Sequence, residues 1–330
     1  MINQKHDKYS NSQKQPAQNK VMPFFTTGIK SSSVHNYNAD TGLGFFQKLF
    51  YLFLNFLNNS FPYTNLDKKI SIRNFNGADW ERHWDKTYKN SSVGRKLSDL
   101  FWWTLPWDKI ISELGEVNVF DTGCGSGGYG IRLFEASQGR ISSYTGIDAK
   151  PKPNWAELGQ KYPNFRLLES KSSDISPLIP EGTNMFITQS AIEHFDTDLL
   201  FFRQISDYVK KTDGPIIQVH IFPAGASLPL YIFHGIRQYV PRTISKITRL
   251  FSNSSNIFLY GLGGSAGKKL QWKYFTWPVL ISRKFSKPTF DADLYDKELK
   301  LAIKHDFNRE NKSPIFWALI IHSNQKQKIW

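Results

Sequence analysis

Val119-Phe120-Asp121-Thr122-Gly123-Cys124-Gly125-Ser126-Gly127-Gly128 runs from a short apolar stretch through a glycine-dense turn into the helical pattern that begins near Tyr129. A strand, a turn and a helix in that order form a nucleoside-binding arrangement. Glycine serves there because the turn needs unusual dihedrals and because a missing Cβ lets a ligand approach the backbone. Gly123, Gly125 and Gly128 also fit the dinucleotide pattern G-x-G-x-x-G, so the glycines alone leave a nicotinamide-dependent oxidoreductase open. Asp121 argues against it, because a carboxylate two residues before the first glycine would repel a pyrophosphate.

Outward from the turn, short apolar runs alternate with helical patterns from Val117 onward, the signature of repeated strand, helix, strand units and a parallel sheet. The runs place strands at 117–121, 143–147, 164–168, 184–188 and 215–221, with a final strand at 314–321 reading PIFWALII. Leu199, Phe202, Ile205 and Val209 predict a helix from about Asp196 that stops at Gly214 and Pro215. Ahead of the first strand, Trp80, Trp84 and Tyr88 recur every four positions, which predicts a helix over 78–89. Further helices are expected over 93–103 and between Pro106 and Gly115. Residues 1–40 are polar and without period, and read as a disordered tail. Residues 224–313 exceed any ordinary connection and read as an insertion, an acceptor lid. The expected fold is α/β: a doubly wound, seven-stranded, mostly parallel sheet with an antiparallel last strand. Helices over 41–115 precede a binding core at 116–223, and the insertion is followed by the closing strand and tail at 314–330.

Three more segments carry chemistry. Tyr144-Thr145-Gly146-Ile147-Asp148 ends the second strand, Ser173-Asp174-Ile175 follows the third, and Phe186-Ile187-Thr188-Gln189-Ser190-Ala191-Ile192-Glu193-His194-Phe195 follows the fourth. With the glycine turn, these elements resemble, in order over residues 117–221, the class I S-adenosylmethionine-dependent methyltransferases. The resemblance implies methyl transfer, with S-adenosyl-L-methionine as cofactor. Asp121 suits that cofactor, whose sulfonium and ammonium groups are cationic. The resemblance implies that Asp121, Gly123, Cys124, Gly125 and Gly127 wrap the methionine part. It gives Asp148, followed by Ala149, the two ribose hydroxyls, Asp174 the adenine amino group, and Ile175 the adenine ring. Gln189 joins this set at the end of the fourth strand. Asp148 does not discriminate, since dehydrogenases use an acid in the same way, and the alternative for Asp174 is a loop or cap residue feeding Pro177. Thr212-Asp213-Gly214-Pro215 lacks the paired glycines common in the family.

Methyl transfer from a sulfonium is an in-line displacement that asks mainly for alignment and exclusion of water. A hydroxyl acceptor would need a general base, and histidine suits it. His220, near the carboxyl end of the fifth strand, and His194, after the fourth, are the candidates. The histidines show no metal-ligand spacing, so no metal is expected. Cys124 sits at a helix entrance, where a thiolate would be favoured, but it reads better as a small residue packed beside the methionine chain. Trp80, Trp84 and Tyr88 could form a cofactor lid or pack in the core. Residues 261–269 fail as a phosphate-binding loop, since Leu262 and Lys269 stand where glycine and a hydroxyl residue are required, and they read as a flexible basic loop. Around them Tyr231, Phe233, His234, Arg237, Tyr239, Arg242, Trp272, Lys273, Tyr274 and Trp277 mix aromatic faces with charge, either a surface suited to sugars, phosphates or lipid headgroups or a solvated helical cap.

The 330 residues, 40% apolar, can build a core without disulfides, and the one cysteine, Cys124, excludes an internal one. The net charge of +14 favours anionic partners without choosing among them. No accessory nucleic-acid motif accompanies it, so nucleic acid is disfavoured. The opening residues lack an apolar segment, which points to the cytoplasm. Residues 43–57 are too short to span a bilayer, yet Phe45, Phe46, Leu49, Phe50, Phe53, Leu54 and Leu57 could lie on one, at the inner membrane face, or dock on the domain. The acceptor reading is a hydroxyl on a glycan precursor or lipid-linked saccharide, with a natural-product or quinone-like small molecule as the alternative. A non-catalytic cofactor-binding scaffold also fits the sequence.

Overall fold

A computed structural model describes residues 30–282, 291–309 and 313–330. Eight strands form one sheet: β1 (Ile70–Asn74), β2 (Val117–Thr122), β3 (Ile141–Asp148), β4 (Phe165–Glu169), β5 (Met185–Gln189), β6 (Ile216–Pro223), β7 (Asn256–Leu262) and β8 (Phe316–Ser323). Their order is β1-β7-β8-β6-β5-β2-β3-β4. Only β8 runs antiparallel, between β6 and β7. This is the doubly wound, mostly parallel architecture with an antiparallel last strand that the sequence implies. All six strands read from sequence are present.

Two strands were not legible, and both correct the expected organisation. β7 lies inside 224–313, so that stretch supplies part of the sheet and is not simply an insertion. β1 lies inside 41–115, which is therefore not all helical, and it pairs with β7 in parallel at the sheet edge, Ile70 opposite Ile257.

The helices are α1 (Phe45–Asn59), α2 (Val93–Trp103), α3 (Trp107–Leu114), α4 (Gly128–Ala136), α5 (Trp155–Lys161), α6 (Asp198–Lys210), α7 (Pro241–Thr248), α8 (Ser265–Gln271), α9 (Trp277–Ser282) and α10 (Ala292–Phe307). One face of the sheet packs Val119, Ile187, Val219 and Ile320 under Leu97, Ile110, Leu133 and Leu299 of α2, α3, α4 and α10. The other packs Phe120, Phe186, Phe222 and Leu319 under Phe202, Ile205 and Ile244 of α6 and α7. Burial on both faces is why the central strands read as continuous apolar runs without alternation.

The aromatic period over 78–89 forms a 3-10 turn, Trp80–Lys86, instead of an α-helix. Trp80 and Trp84 are buried, and Trp84 Nε1 donates to Asp296 Oδ2 of α10 at 2.8 Å. Trp80 and Trp84 are thus core packing, whereas Tyr88 is exposed with its hydroxyl beside Gly128; none of residues 78–89 lines the cavity at the sheet's carboxyl ends. Residues 261–269 are likewise no flexible loop. They are the end of β7 and the start of α8, whose amides at Gly264, Ala266 and Gly267 are taken by the Asp306 carboxylate.

Residues 30–40, expected within a disordered tail, are placed against the domain; residues 1–29 lie outside the described residues. Ser31, Ser32, Ser33 and His35 are buried. The tie is Asp198 at the start of α6, fully buried, which accepts from Ser32 N at 2.8 Å and Tyr239 OH at 2.9 Å and lies 3.5 Å from the buried Arg237 guanidinium. Removing one partner strands a buried cation. Asp198→Ala is expected to lower the unfolding free energy by about 3–5 kcal/mol, read as the shift in urea midpoint against the wild type.

Candidate functional site

The chain leaves β2 and crosses to β3 on one side, then returns past it to β5 on the other, so ligands are expected at the carboxyl ends between β2 and β5. A cavity of about 440 Å³ opens there. Thr122 and Gly123 contribute from β2, Asp148 and Ala149 from β3, Ser170 to Ser173 from β4, and Ser190, Ala191 and His194 to Thr197 from the segment after β5.

Of the glycine turn, Gly123 lines the cavity, while Cys124, Gly125 and Gly127 stand outside its lining. Gly123, Gly125 and Gly127 have φ of +80°, +56° and +78°, which side chains rarely adopt. A Cβ on Gly123 would stand 2.5 Å from the Ala191 Cβ, so this glycine also lets the β5 loop close onto the turn. Gly123 N and Cys124 N donate to Ile147 O, and Gly125 N donates to Asp148 Oδ2 at 2.9 Å. Asp148 also accepts from Lys150 N, which fixes its carboxylate at the cavity wall with lone pairs to spare.

Asp121 lies beneath the turn, 1% exposed. Tyr144 OH donates to its Oδ2 at 2.6 Å, while Oδ1 has no hydrogen-bond partner among the described residues. Burial, opposed by the Tyr144 hydrogen bond and assisted by the Asp148 charge, pushes its pKa up to about 7. Cys124 is buried, and burial with the nearby Asp121 and Asp148 charges pushes its thiol up, so it is not a thiolate at neutral pH.

Several expected residues stand elsewhere. Asp174 is exposed and outside the lining, and Ile175 is fully buried in the core with Phe120 and Ile147. The wall at this edge is the serine run Ser170, Ser172 and Ser173 with Lys171. Gln189 does not line the cavity; its Oε1 accepts from Trp102 Nε1 and its Nε2 donates to Ser190 Oγ, so it braces the loop. His220 is fully buried, bonded to Thr188 Oγ1 at 3.0 Å and packed edge-on against Phe202, and burial lowers its pKa to about 3. The strand's alternation turns it toward α6 and away from the cavity, which excludes it as the base acting there.

His194 does line the cavity. Its Nδ1 meets Asp40 Oδ2 at 2.6 Å. Burial works to lower its pKa, but the Asp40 hydrogen bond and the Glu193 and Asp40 charges outweigh it and raise the value. Beside it stand Glu193, fully buried, and His234. Sequence reasoning placed Glu193 only within the element after the fourth strand and put His234 in an aromatic surface; forty residues separate the two histidines, a distance no local spacing rule reads. That surface does not exist as one patch. Arg237 and Tyr239 are fully buried, and Arg242 caps α1 through the Asn58 carbonyl.

No family model matches the chain, and no curated protein matches it. Among solved structures it is similar to the plantazolicin methyltransferase BamL in complex with a triazolic desmethylPZN analog and SAH, at 14% identity and a TM-score of 0.43 over 74% of this chain and 90% of that one. It is similar to coclaurine N-methyltransferase bound to N-methylheliamine and SAH, at 15% and 0.38 over 66% and 68%. It is also similar to an S-adenosylmethionine-dependent methyltransferase from Mesorhizobium loti, at 13% and 0.39 over 66% and 95%. Likenesses this low carry no conclusion about activity or acceptor.

Asp121 yields a pH prediction. The native state keeps its proton up to about pH 7, whereas the unfolded chain loses it near 3.8. Between those values the folded state binds more protons, so stability falls as pH rises. Asp121→Asn keeps an acceptor for Tyr144 and removes the buried charge. Its Tm relative to wild type is expected to be higher at pH 8 than at pH 5; an equal difference at both would refute the assignment.

Proposed function

We propose that the protein is a class I methyltransferase that takes its methyl group from S-adenosyl-L-methionine. The observation that carries this is the cavity at the ends of β2 and β3, where a positive-φ glycine turn overlies a buried carboxylate, Asp121, and faces a second, Asp148. Asp148 has the lone pairs to accept from both ribose hydroxyls. Asp121 lies beneath the turn and outside the cavity lining, so Asp148 is the carboxylate presented to the ligand. The serines at the end of β4 offer donors and acceptors to the adenine edge. The same geometry disfavours a dinucleotide. A pyrophosphate at the turn needs the Gly125 amide, which Asp148 already occupies, and it would meet carboxylates where it needs donors.

The cofactor would be held by Asp148 and the serines at the end of β4, and would supply an electrophilic methyl group for in-line transfer to an acceptor heteroatom, whose proton would pass to solvent. The charge of the sulfonium is neutralised, so the chain's contribution is alignment and exclusion of water.

For the acceptor we favour a hydroxyl of a lipid-linked saccharide, at a membrane surface. Tyr51, Leu54, Asn55 and Asn58 dock α1 on the domain, while Phe45, Phe46, Leu49, Phe53, Phe56 and Leu57 face outward, Phe46 at 83% exposure. Residues 43–66 include no carboxylate, and the whole chain carries +14. An exposed aromatic face on a cationic protein suits an anionic lipid interface. The helix stands next to the site: Tyr51 OH donates to the His234 carbonyl at 3.0 Å. Among the described residues no helix is long and apolar enough to cross a membrane.

Calorimetry with S-adenosyl-L-methionine and S-adenosylhomocysteine tests the cofactor. Saturable binding is expected, weakened at least about tenfold by Asp148→Ala, roughly 1.4 kcal/mol; no heat with either compound would overturn the reading. Labelled methyl transfer into fractionated cell extract separates an enzyme from a scaffold and names the acceptor fraction. For the lipid surface, sedimentation with anionic phosphatidylserine vesicles is expected to carry the wild type down. The double variant Phe46→Ser with Phe53→Ser should stay in solution while still binding S-adenosylhomocysteine.

A further inference from the structure

The segment after β5 and the segment before α7 meet at the cavity rim in a way that the cofactor reading leaves unexplained. Glu193 has 0% exposure, and neither carboxylate oxygen has a hydrogen-bond partner among the described residues. Two imidazole nitrogens face one of those oxygens: His234 Nε2 lies 3.7 Å from Glu193 Oε1, and His194 Nε2 lies 3.9 Å from it. Ligand atoms from all three residues lie within 4.8 Å of one another. These gaps are too long for hydrogen bonds. They slightly exceed the separation of about 3.0–3.4 Å between atoms that each sit roughly 2.0–2.2 Å from a shared ion.

The surroundings hold the three in place. Asp40 Oδ2 meets His194 Nδ1 at 2.6 Å, which puts the imidazole proton on Nδ1 and turns the Nε2 lone pair toward Glu193. A lone pair facing a buried carboxylate is unfavourable, and the pair becomes favourable either when the imidazole is protonated or when a cation lies between them. His234 is brought in by its neighbours, since Ile236 N donates to the Glu193 carbonyl at 2.8 Å. A Cβ on Gly235, at φ +64°, would stand 2.9 Å from that same carbonyl oxygen, so the approach depends on glycine. Asp40 Oδ1 also accepts from Gly235 N, so a single carboxylate braces both histidine-bearing segments.

We propose that Glu193 Oε1, His194 Nε2 and His234 Nε2 bind a divalent first-row transition cation at the rim of the cavity. Two imidazoles and one carboxylate select such an ion over magnesium or calcium, and three protein ligands leave coordination positions open. Because His194 also lines the cavity, an acceptor hydroxyl can take an open position. Coordination makes that hydroxyl more acidic; its proton passes to solvent and its oxygen then takes the methyl group as the carbon–sulfur bond breaks. This role rests on the methyltransferase reading, whereas the cation site stands on its own geometry. It also removes the need for a histidine base, a task for which His220 is misplaced and in which His194 would be a ligand.

The test uses the untagged full chain, stripped with a chelator and dialysed, and titrated calorimetrically with Mn²⁺, Co²⁺ and Zn²⁺ separately. We expect one equivalent of cation per chain, and Co²⁺ should develop a visible absorption band on binding. His234→Ala and Glu193→Gln should each weaken binding at least 100-fold. Asp40→Asn, which loosens the braces on the His194 and His234 segments without removing a ligand, should weaken it about 10- to 100-fold. S-adenosylhomocysteine binding by each variant reports that the fold is intact. Absence of saturable cation binding below about 1 mM, or wild-type affinity in His234→Ala, would overturn the site. Cation binding with the expected variant losses but no S-adenosylhomocysteine binding would support the site while refuting the methyltransferase reading.

Discussion

The site depends on how closely three stretches of backbone approach where β2, β3 and α4 meet, and that closeness depends on missing Cβ atoms. On Gly130 a Cβ would lie 2.8 Å from the Tyr144 ring, and on Gly146 it would lie 2.8–2.9 Å from Leu167 and Cys124. Without these contacts Tyr144 can pass under α4 and donate to Asp121, and the turn can settle onto Ile147. The buried carboxylate, its single donor and the positive-φ turn above it are thus one unit. A side chain at any of these glycines would displace a neighbour that is itself in the core. Packing at close to crystal density leaves no slack to absorb it.

The opposite rim of the cavity is held by polar contacts. Residues 30–40 wrap the segments after β5 and before α7, with Ala39 N donating to the Gly235 carbonyl, Asp198 receiving Ser32, and Arg237 donating to the Phe195 carbonyl and Ser31. Such a buried network costs desolvation and is worth keeping only if every member is satisfied. Glu193, next to the cavity-lining His194, has neither carboxylate oxygen hydrogen-bonded among the described residues, and Arg237 Nε and His35 Nε2 are likewise without a partner. A buried carboxylate left so beside a cavity is the pattern expected of a site that a ligand completes.

α1 adds a third kind of constraint. Its inner face is committed to the domain through Tyr51, Leu54, Asn55 and Asn58, so its outward aromatics cannot turn inward to escape water. Several exposed phenylalanines on one short helix are expensive in solution and become favourable at an interface. The same helix buttresses the His234 segment through Tyr51.

The chain's local pattern was enough to locate the strands from 117 to 223 and the closing strand, the glycine turn, and the positions of Asp121 and Asp148. These rest on local signals: apolar runs bounded by turn residues, and glycine where φ is positive. It could not show β7, hidden in a stretch judged by its length, or β1, an edge strand with few buried residues. Nor could it show which way His220 faces. A strand residue's side follows from which helix covers it, and Phe202 claims this one. Asp174 was read from its position after a strand, but backbone path decides which of several adjacent polar residues reaches a cavity, and here the preceding serines do. Only the tertiary structure brought Asp40, Glu193, His194 and His234 together, because contact between segments 40 and 150 residues apart is set by packing of the whole sheet and leaves no periodicity in the chain.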